Sequence, residues 1–270
     1  MSVMTLSQVK ELLEESKKLG SVNHIYVEGG EPFLYYPVML ETIEMAKKMG
    51  LDVGIVTNCY WATDYEDALL WLKPIAKMAV MDFAMSADVF HWGDLESERA
   101  KYAAKAAHEL GLPAQMMAIE SPGQEEVDSI EGVKVGFGGI MYKGRAAVNL
   151  TKDAPKRPWK EFDECPYENL KDPGRVHVDP QGYVHACQGI CIGNMFQTPF
   201  SEIMANYDYS KHPLIRPLAE GGPIALAKEV GISPDDEYAD ACHFCYDIRS
   251  RIRDKYPDIL CPKEVYGEYD

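Results

Sequence analysis

The stretch YVEGGEPFLYYP, residues 26–37, decides how the chain is read. An apolar run ends in two glycines, a glutamate and a proline. Two residues without a Cβ at the end of a strand let a ligand lie directly against the backbone. In α/β folds the carboxyl ends of parallel strands are where ligands sit. Glu31 then offers a carboxylate to a cationic group. A plain strand-to-helix turn would use the same residues, so the flanking pattern has to separate the two readings.

Working outward, 5–20 carries Val9, Leu12 and Leu13 at helical spacing between a Thr/Ser start and a glycine stop, which predicts a helix. A strand at 24–28, a helix at 37–50 and a strand at 52–58 follow. The segment 64–78 reads as a helix kinked or broken near Pro74, because proline removes a backbone donor and clashes with the preceding turn. A near-continuous apolar strand at 78–88, an alanine-rich helix at 96–111 and strands at 113–120 and 132–139 complete the series. Apolar strands alternating with amphipathic helices imply parallel pairing with both faces covered, in an open sheet or a barrel. From Thr151 the texture turns polar and is interrupted by Pro155 and Pro158, which suits a linker over 151–164. A cysteine-bearing region begins at Cys165. Within it RVHVDPQGYVHAC reads as strand, turn and strand, with Pro180 and Gly182 shaping the turn.

Composition narrows the function classes. At 270 residues and 46% hydrophobic, the chain can bury a sizeable core. A formal charge of −16 repels phosphate backbones, so nucleic acid is excluded as an expected partner. No apolar run approaches the roughly 20 residues of a membrane span, and the start has no secretory pattern, so no membrane association and a cytoplasmic location are expected. Six of the seven cysteines lie from Cys165 onward. Such clustering without a secretion signal argues for metal or redox chemistry over disulfides.

Cys165, Cys187, Cys242 and Cys245 supply four thiols from three segments, which is what a [4Fe-4S] cluster or a structural zinc requires. The turn at Gly182 places Cys187 on the return strand of a hairpin. Cys242 and Cys245 precede a predicted helix, 246–256, whose N-terminal dipole favours thiolate charge. Cys191 and Cys261 are left as substitutes or bystanders. GFGGIMYKGRAA, 136–147, does not fit G-x-G-x-x-G, so a dinucleotide site is not expected. Lys143 and Arg145 there are candidate contacts for an acidic group, or a solvated basic edge.

VEGGEPFLYYP resembles the GGEP motif of the radical S-adenosylmethionine (SAM) superfamily, and the elements around it have that family's order. The resemblance implies a partial (β/α)6 TIM-like barrel lacking its first strand over 1–150, with a small C-terminal α+β cluster-binding domain over 165–270. Gly29, Gly30, Glu31 and Pro32 would hold the amino group of S-adenosylmethionine. Asn58 in VTN, and Ser86 and Asp88 in SAD, would approach its ribose. The cysteine, spacer, glycine, four residues, cysteine, gap and CxxC pattern is similar to the family's short "twitch" form of the SPASM domain. Cys165, Cys187, Cys242 and Cys245 would then ligate an auxiliary [4Fe-4S] cluster, with zinc as the alternative.

The family's CxxxCxxC loop is absent from these residues; a start displaced from that of the complete protein is the favoured reason, with a separate chain carrying the loop and a loss of the chemistry as the alternatives. The complete protein would reductively cleave S-adenosylmethionine to a 5′-deoxyadenosyl radical that abstracts hydrogen from a small-molecule or peptide substrate. That chemistry serves dehydrogenation, peptide modification or cofactor maturation, with a reductant such as ferredoxin or flavodoxin. The rival readings are a non-catalytic scaffold with a zinc-stabilised four-cysteine module and an electron-relay iron-sulfur subunit.

Overall fold

The computed structural model describes residues 3–87, 97–119, 127–152 and 154–268. It divides into two compact units, one spanning Thr5–Ile140 and the other running from Met141 onward.

The first unit alternates helices and strands. Helix α1 (Leu6–Leu19) starts at a capping box, in which the Thr5 hydroxyl accepts from the Gln8 N–H and the Gln8 side chain accepts from the Thr5 N–H. It stops at Gly20, which takes φ 78°. Strand β1 (His24–Val27) leads through the glycine loop into α2 (Tyr36–Lys48), and β2 (Asp52–Thr57) into α3 (Tyr65–Ala76), capped by Asp64. The expected break at Pro74 is not there. Pro74 sits in the last turn of α3, and the carbonyl its missing N–H would serve belongs to Leu70, on the exposed side of the helix. Strand β3 (Asp82–Ser86) is followed by α4 (Glu98–Glu109), which buries Ala100, Ala103, Ala104, Ala106 and Ala107. Strands β4 (Ala114–Ile119), β5 (Ser129–Ile130) and β6 (Val133–Gly138) complete a six-stranded sheet of order β1-β2-β3-β4-β6-β5, parallel except for β5.

One face of this sheet is dry, with Val53, Ile55, Phe83, Met85, Met116 and Val135 buried. On the other, Tyr26, Gln115, Met117, Lys134 and Gly136 are exposed. The strands read as apolar on both sides because the second face is filled with small and adaptable residues such as Gly54, Ala84 and Met117. The Tyr26 ring lies flat over Gly54, where an added Cβ would meet it at 2.3 Å. Its hydroxyl donates to Asp82 (3.1 Å), which also accepts from Gln115 (3.0 Å).

In the second unit β8 (His177–Val178), β9 (Tyr183–Cys187) and β10 (Ile190–Asn194) form an antiparallel sheet of order β10-β9-β8, and β7 (Arg157–Pro158) pairs with β11 (Glu237–Tyr238). The helices are α5 (Arg145–Asn149), α6 (Phe200–Ala205), α7 (Ile215–Val230, broken by a kink at Gly221 and Gly222) and α8 (Ala241–Ile252). Their core gathers Phe162, Leu170, Leu218, Tyr238, Phe244 and Ile248. The segment read as a linker, 151–164, contributes a strand and a core residue to this unit. Phe162 is buried, and Trp159 packs edge-on against Phe244. Its prolines fit because Pro158 occupies a two-residue strand, where a missing donor is tolerated.

Candidate functional site

Two places in the chain gather the residues singled out above, one in each unit. In the first, β1, β2 and β3 are adjacent and parallel, so the glycine loop, Asn58 and Ser86 lie at the carboxyl ends of three neighbouring strands. Gly29 takes φ 136°, a backbone conformation open to glycine, and an added Cβ at Gly29 or Gly30 would meet nothing within 4 Å. Both glycines are exposed, so this rim presents bare backbone. Ser86 is half-buried at the end of β3, and Asp88 lies outside the described residues.

Glu31 faces the fold. One carboxylate oxygen accepts from the Phe33 N–H (3.0 Å) and the Thr57 hydroxyl (2.9 Å), and the other accepts from the Asn58 N–H (2.7 Å). The side chain is buried and caps the short helix that opens at Pro32, itself buried. Thr57 extends the network by accepting from the Trp61 indole (3.0 Å) and the Cys59 N–H (3.2 Å). Asn58 spends its side-chain oxygen on the Tyr60 N–H (3.0 Å). Glu31 therefore ties the ends of β1 and β2 together, and the open part of the rim is the Gly29–Gly30 backbone.

In the second unit the four cysteines converge. Cys165, Cys187, Cys242 and Cys245 line one cavity, together with Lys143 and Arg249. Each arrives by a different local device. Gly222, at the kink in α7, takes φ 60° and lies so close to the Asp163–Glu164 backbone that an added Cβ would stand 2.4 Å from the Glu164 nitrogen. This draws the Cys165 segment onto the helix. Gly182 (φ 86°) and the Asp179 side chain, which accepts from the Gln181 and Tyr183 N–H groups, turn β8 into β9 and bring Cys187 to the strand end. Asp240 caps α8 by accepting from the His243 N–H (2.6 Å), and its other oxygen accepts from the Tyr142 N–H (3.2 Å). The helix thus begins before the CxxC pair, which lies within its first turns.

Burial pushes the Cys245 thiol up to about 12, with the Arg249 guanidinium opposing the rise and the Cys187 and Cys165 thiols adding to it. Cys242 is raised by burial and by Asp240, and Cys165 mainly by burial. Such thiols are neutral until a metal displaces their protons. Among the described residues no group of three or more His, Cys, Asp or Glu is assembled to hold a metal ion. The thiols share a cavity wall and do not form a closed ligand cage.

Motif reading passes over Arg249. It is 1% exposed and stands four residues after Cys245 on α8, so helical periodicity turns it to the same side. Cys191 and Cys261 form a separate buried pair with sulfurs 2.7 Å apart, beside His185. Lys143 belongs to the second unit, where it pairs with Glu168 at 4.0 Å, and Arg145 is exposed at the start of α5.

The arrangement is that of an α/β unit with a bare-backbone strand-end rim and a thiol-rich α+β unit. No family model matches the chain. It is similar to a Bacillus subtilis (strain 168) protein named "Putative peptide biosynthesis protein YydG", at 21% identity over 204 residues. The match covers 72% of this chain and 62% of that protein, so the chain spans less than two thirds of its relative's length. No helix among the described residues is long and apolar enough to cross a membrane.

Proposed function

We propose that the chain is part of a radical SAM protein that modifies a peptide, and that its second unit carries an auxiliary iron-sulfur cluster on Cys165, Cys187, Cys242 and Cys245. The observation that carries this reading is the convergence of four thiols, from three separate segments, on one cavity with a buried guanidinium in its wall. The donor set fits the group: one thiolate for each iron of a cubane cluster, in a largely apolar setting. When bound, the cluster supplies one-electron chemistry. The chain's own residues position it, through the caps and glycine contacts at Asp240, Gly182 and Gly222.

The first unit then corresponds to a partial (β/α) barrel, whose strand-end rim at Gly29 and Gly30 takes S-adenosylmethionine through backbone groups. Glu31 holds the rim's shape. A peptide is favoured as the substrate by the name of the similar Bacillus protein, and the net charge of −16 favours one that is not acidic.

Anaerobic reconstitution tests the reading. About four irons per chain are expected, lost when Cys165, Cys187, Cys242 or Cys245 is replaced by Ala. One zinc and no iron would overturn it in favour of a structural four-cysteine module. Calorimetry with S-adenosylmethionine tests the rim, and unchanged affinity in Gly30→Asp would remove it.

A further inference from the structure

Arg249 is among the largest fully buried side chains described and the only charged one of them. A guanidinium stays charged at any pH the fold survives, and burying it without a counter-charge is strongly unfavourable. Its hydrogen bonds go to neutral groups. Nε donates to the Cys245 carbonyl (3.3 Å), and Nη1 donates to the Gln188 carbonyl (2.9 Å) and to the Tyr266 hydroxyl (3.3 Å). No carboxylate among the described residues pairs with it. Tyr266 in turn donates to the Gly189 carbonyl (2.6 Å), which fixes the guanidinium to the turn after Cys187 as well as to the helix carrying Cys242 and Cys245. The cation is thus held in one orientation in the wall of the thiol cavity; the one carboxylate in that lining, Glu164, is exposed and no hydrogen bond or ion pair joins it to the guanidinium among the described residues, so an anion held by the thiols would meet an unpaired cation.

We infer that Arg249 is a positioning residue that sets the reduction potential of the group bound by Cys165, Cys187, Cys242 and Cys245. The inference rests on the iron-sulfur reading of that site. Taking up one electron makes the bound group one unit more negative, with no bond broken and no proton required. A fixed buried cation beside it stabilises the reduced form more than the oxidised form, which raises the potential. The electron comes from a one-electron reductant, dithionite in the experiment below.

The test compares iron-loaded wild type with Arg249→Gln, Arg249→Lys and Tyr266→Phe. Iron per chain and far-UV circular dichroism are measured first, and each protein is then titrated with dithionite under dye mediation and followed by electron paramagnetic resonance. At equal iron content, Arg249→Gln is expected to shift the reduced-to-oxidised ratio at fixed potential at least tenfold toward oxidised, a midpoint about 59 mV lower for a one-electron couple. Arg249→Lys keeps the charge, and Tyr266→Phe removes one of its hydrogen bonds, so both should stay within about threefold of wild type. A Gln variant within that margin overturns the inference, as does an equal shift in Tyr266→Phe, which would assign the effect to packing. If Arg249→Gln retains no iron, Arg249→Lys decides, and a tenfold fall there overturns it. A wild type that takes up zinc and no iron refutes the cluster reading itself, an outcome distinct from an unmoved potential.

Discussion

Replacing Glu31 by Gln separates a ligand-holding carboxylate from a structural one. The carboxylate serves three donors, the Phe33 N–H and Thr57 hydroxyl on one oxygen and the Asn58 N–H on the other. An amide offers only one acceptor end, so one side of this network must face an NH2 group. The Thr57 hydroxyl cannot turn away, because its oxygen already accepts from Trp61 and Cys59. The less costly orientation keeps Phe33 and Thr57 bonded and leaves the Asn58 N–H opposed by a donor. A stranded donor costs about 1–3 kcal/mol, and two charge-assisted bonds become neutral ones, so a loss of about 2–4 kcal/mol is expected. Urea unfolding followed by tryptophan fluorescence reads it directly. Trp61 stacks on Phe33 at 4.5 Å between ring centroids and Trp71 lies at 5.9 Å, so the reporters sit beside the perturbed loop. A loss below about 0.5 kcal/mol would refute the structural role. If weakened S-adenosylmethionine binding accompanied that result, Glu31 would be returned to the ligand.

At Gly29 the φ of 136° makes Gly29→Ala cost about 1 kcal/mol or more, whereas Gly30→Ala, with neither positive φ nor a neighbour within 4 Å, should be near neutral; thermal melts compare the two. Gly222→Ala drives a Cβ into the Glu164 backbone, so about 3 kcal/mol or more of destabilisation and reduced iron uptake are expected by denaturation and iron assay. Asp240→Ala removes the cap of α8 and the Tyr142 contact, costing about 1–2 kcal/mol in urea titrations. Because burial raises the Cys165, Cys242 and Cys245 thiols, their protons must leave on metal capture, and loading should strengthen as pH rises through the neutral range, measured as metal affinity against pH.

The sequence carried the first unit well because its signals are local. Thr5 and Gly20, read as the start and stop of the first helix, act as its caps in the structure through bonds made within a few residues, and Asp64 and Ser97 do the same at the starts of α3 and α4. Pro74 misled because proline costs most in a helix interior, and composition does not show that its unpaired carbonyl partner faces outward. The segment 151–164 misled for a different reason. A two-residue strand and a single buried phenylalanine leave no periodicity, and the partner of Arg157–Pro158 lies some eighty residues away at Glu237–Tyr238.

Glu31 and Arg249 show where motif reading stops being informative about individual side chains. A GGEP stretch states which backbone is bare, yet the direction of its carboxylate depends on what the next strand end offers. Here Thr57 and Asn58 offer two donors from β2 and its following turn, and they capture Glu31 from across the sheet. Arg249 carries a readable signal, four residues after Cys245 on a helix whose first turn holds the CxxC pair, but an arginine in that register ordinarily reaches solvent. Its burial follows from the chain beyond it: Tyr266 lies across the guanidinium and donates to Gly189, so the C-terminal segment covers the cation and closes it in with the thiols. A charge enclosed in that way, hydrogen-bonded to neutral groups and paired with no carboxylate among the described residues, is a cost that an anion in the cavity would offset. The thiol cavity is therefore better described by its electrostatic demand than by its cysteine count.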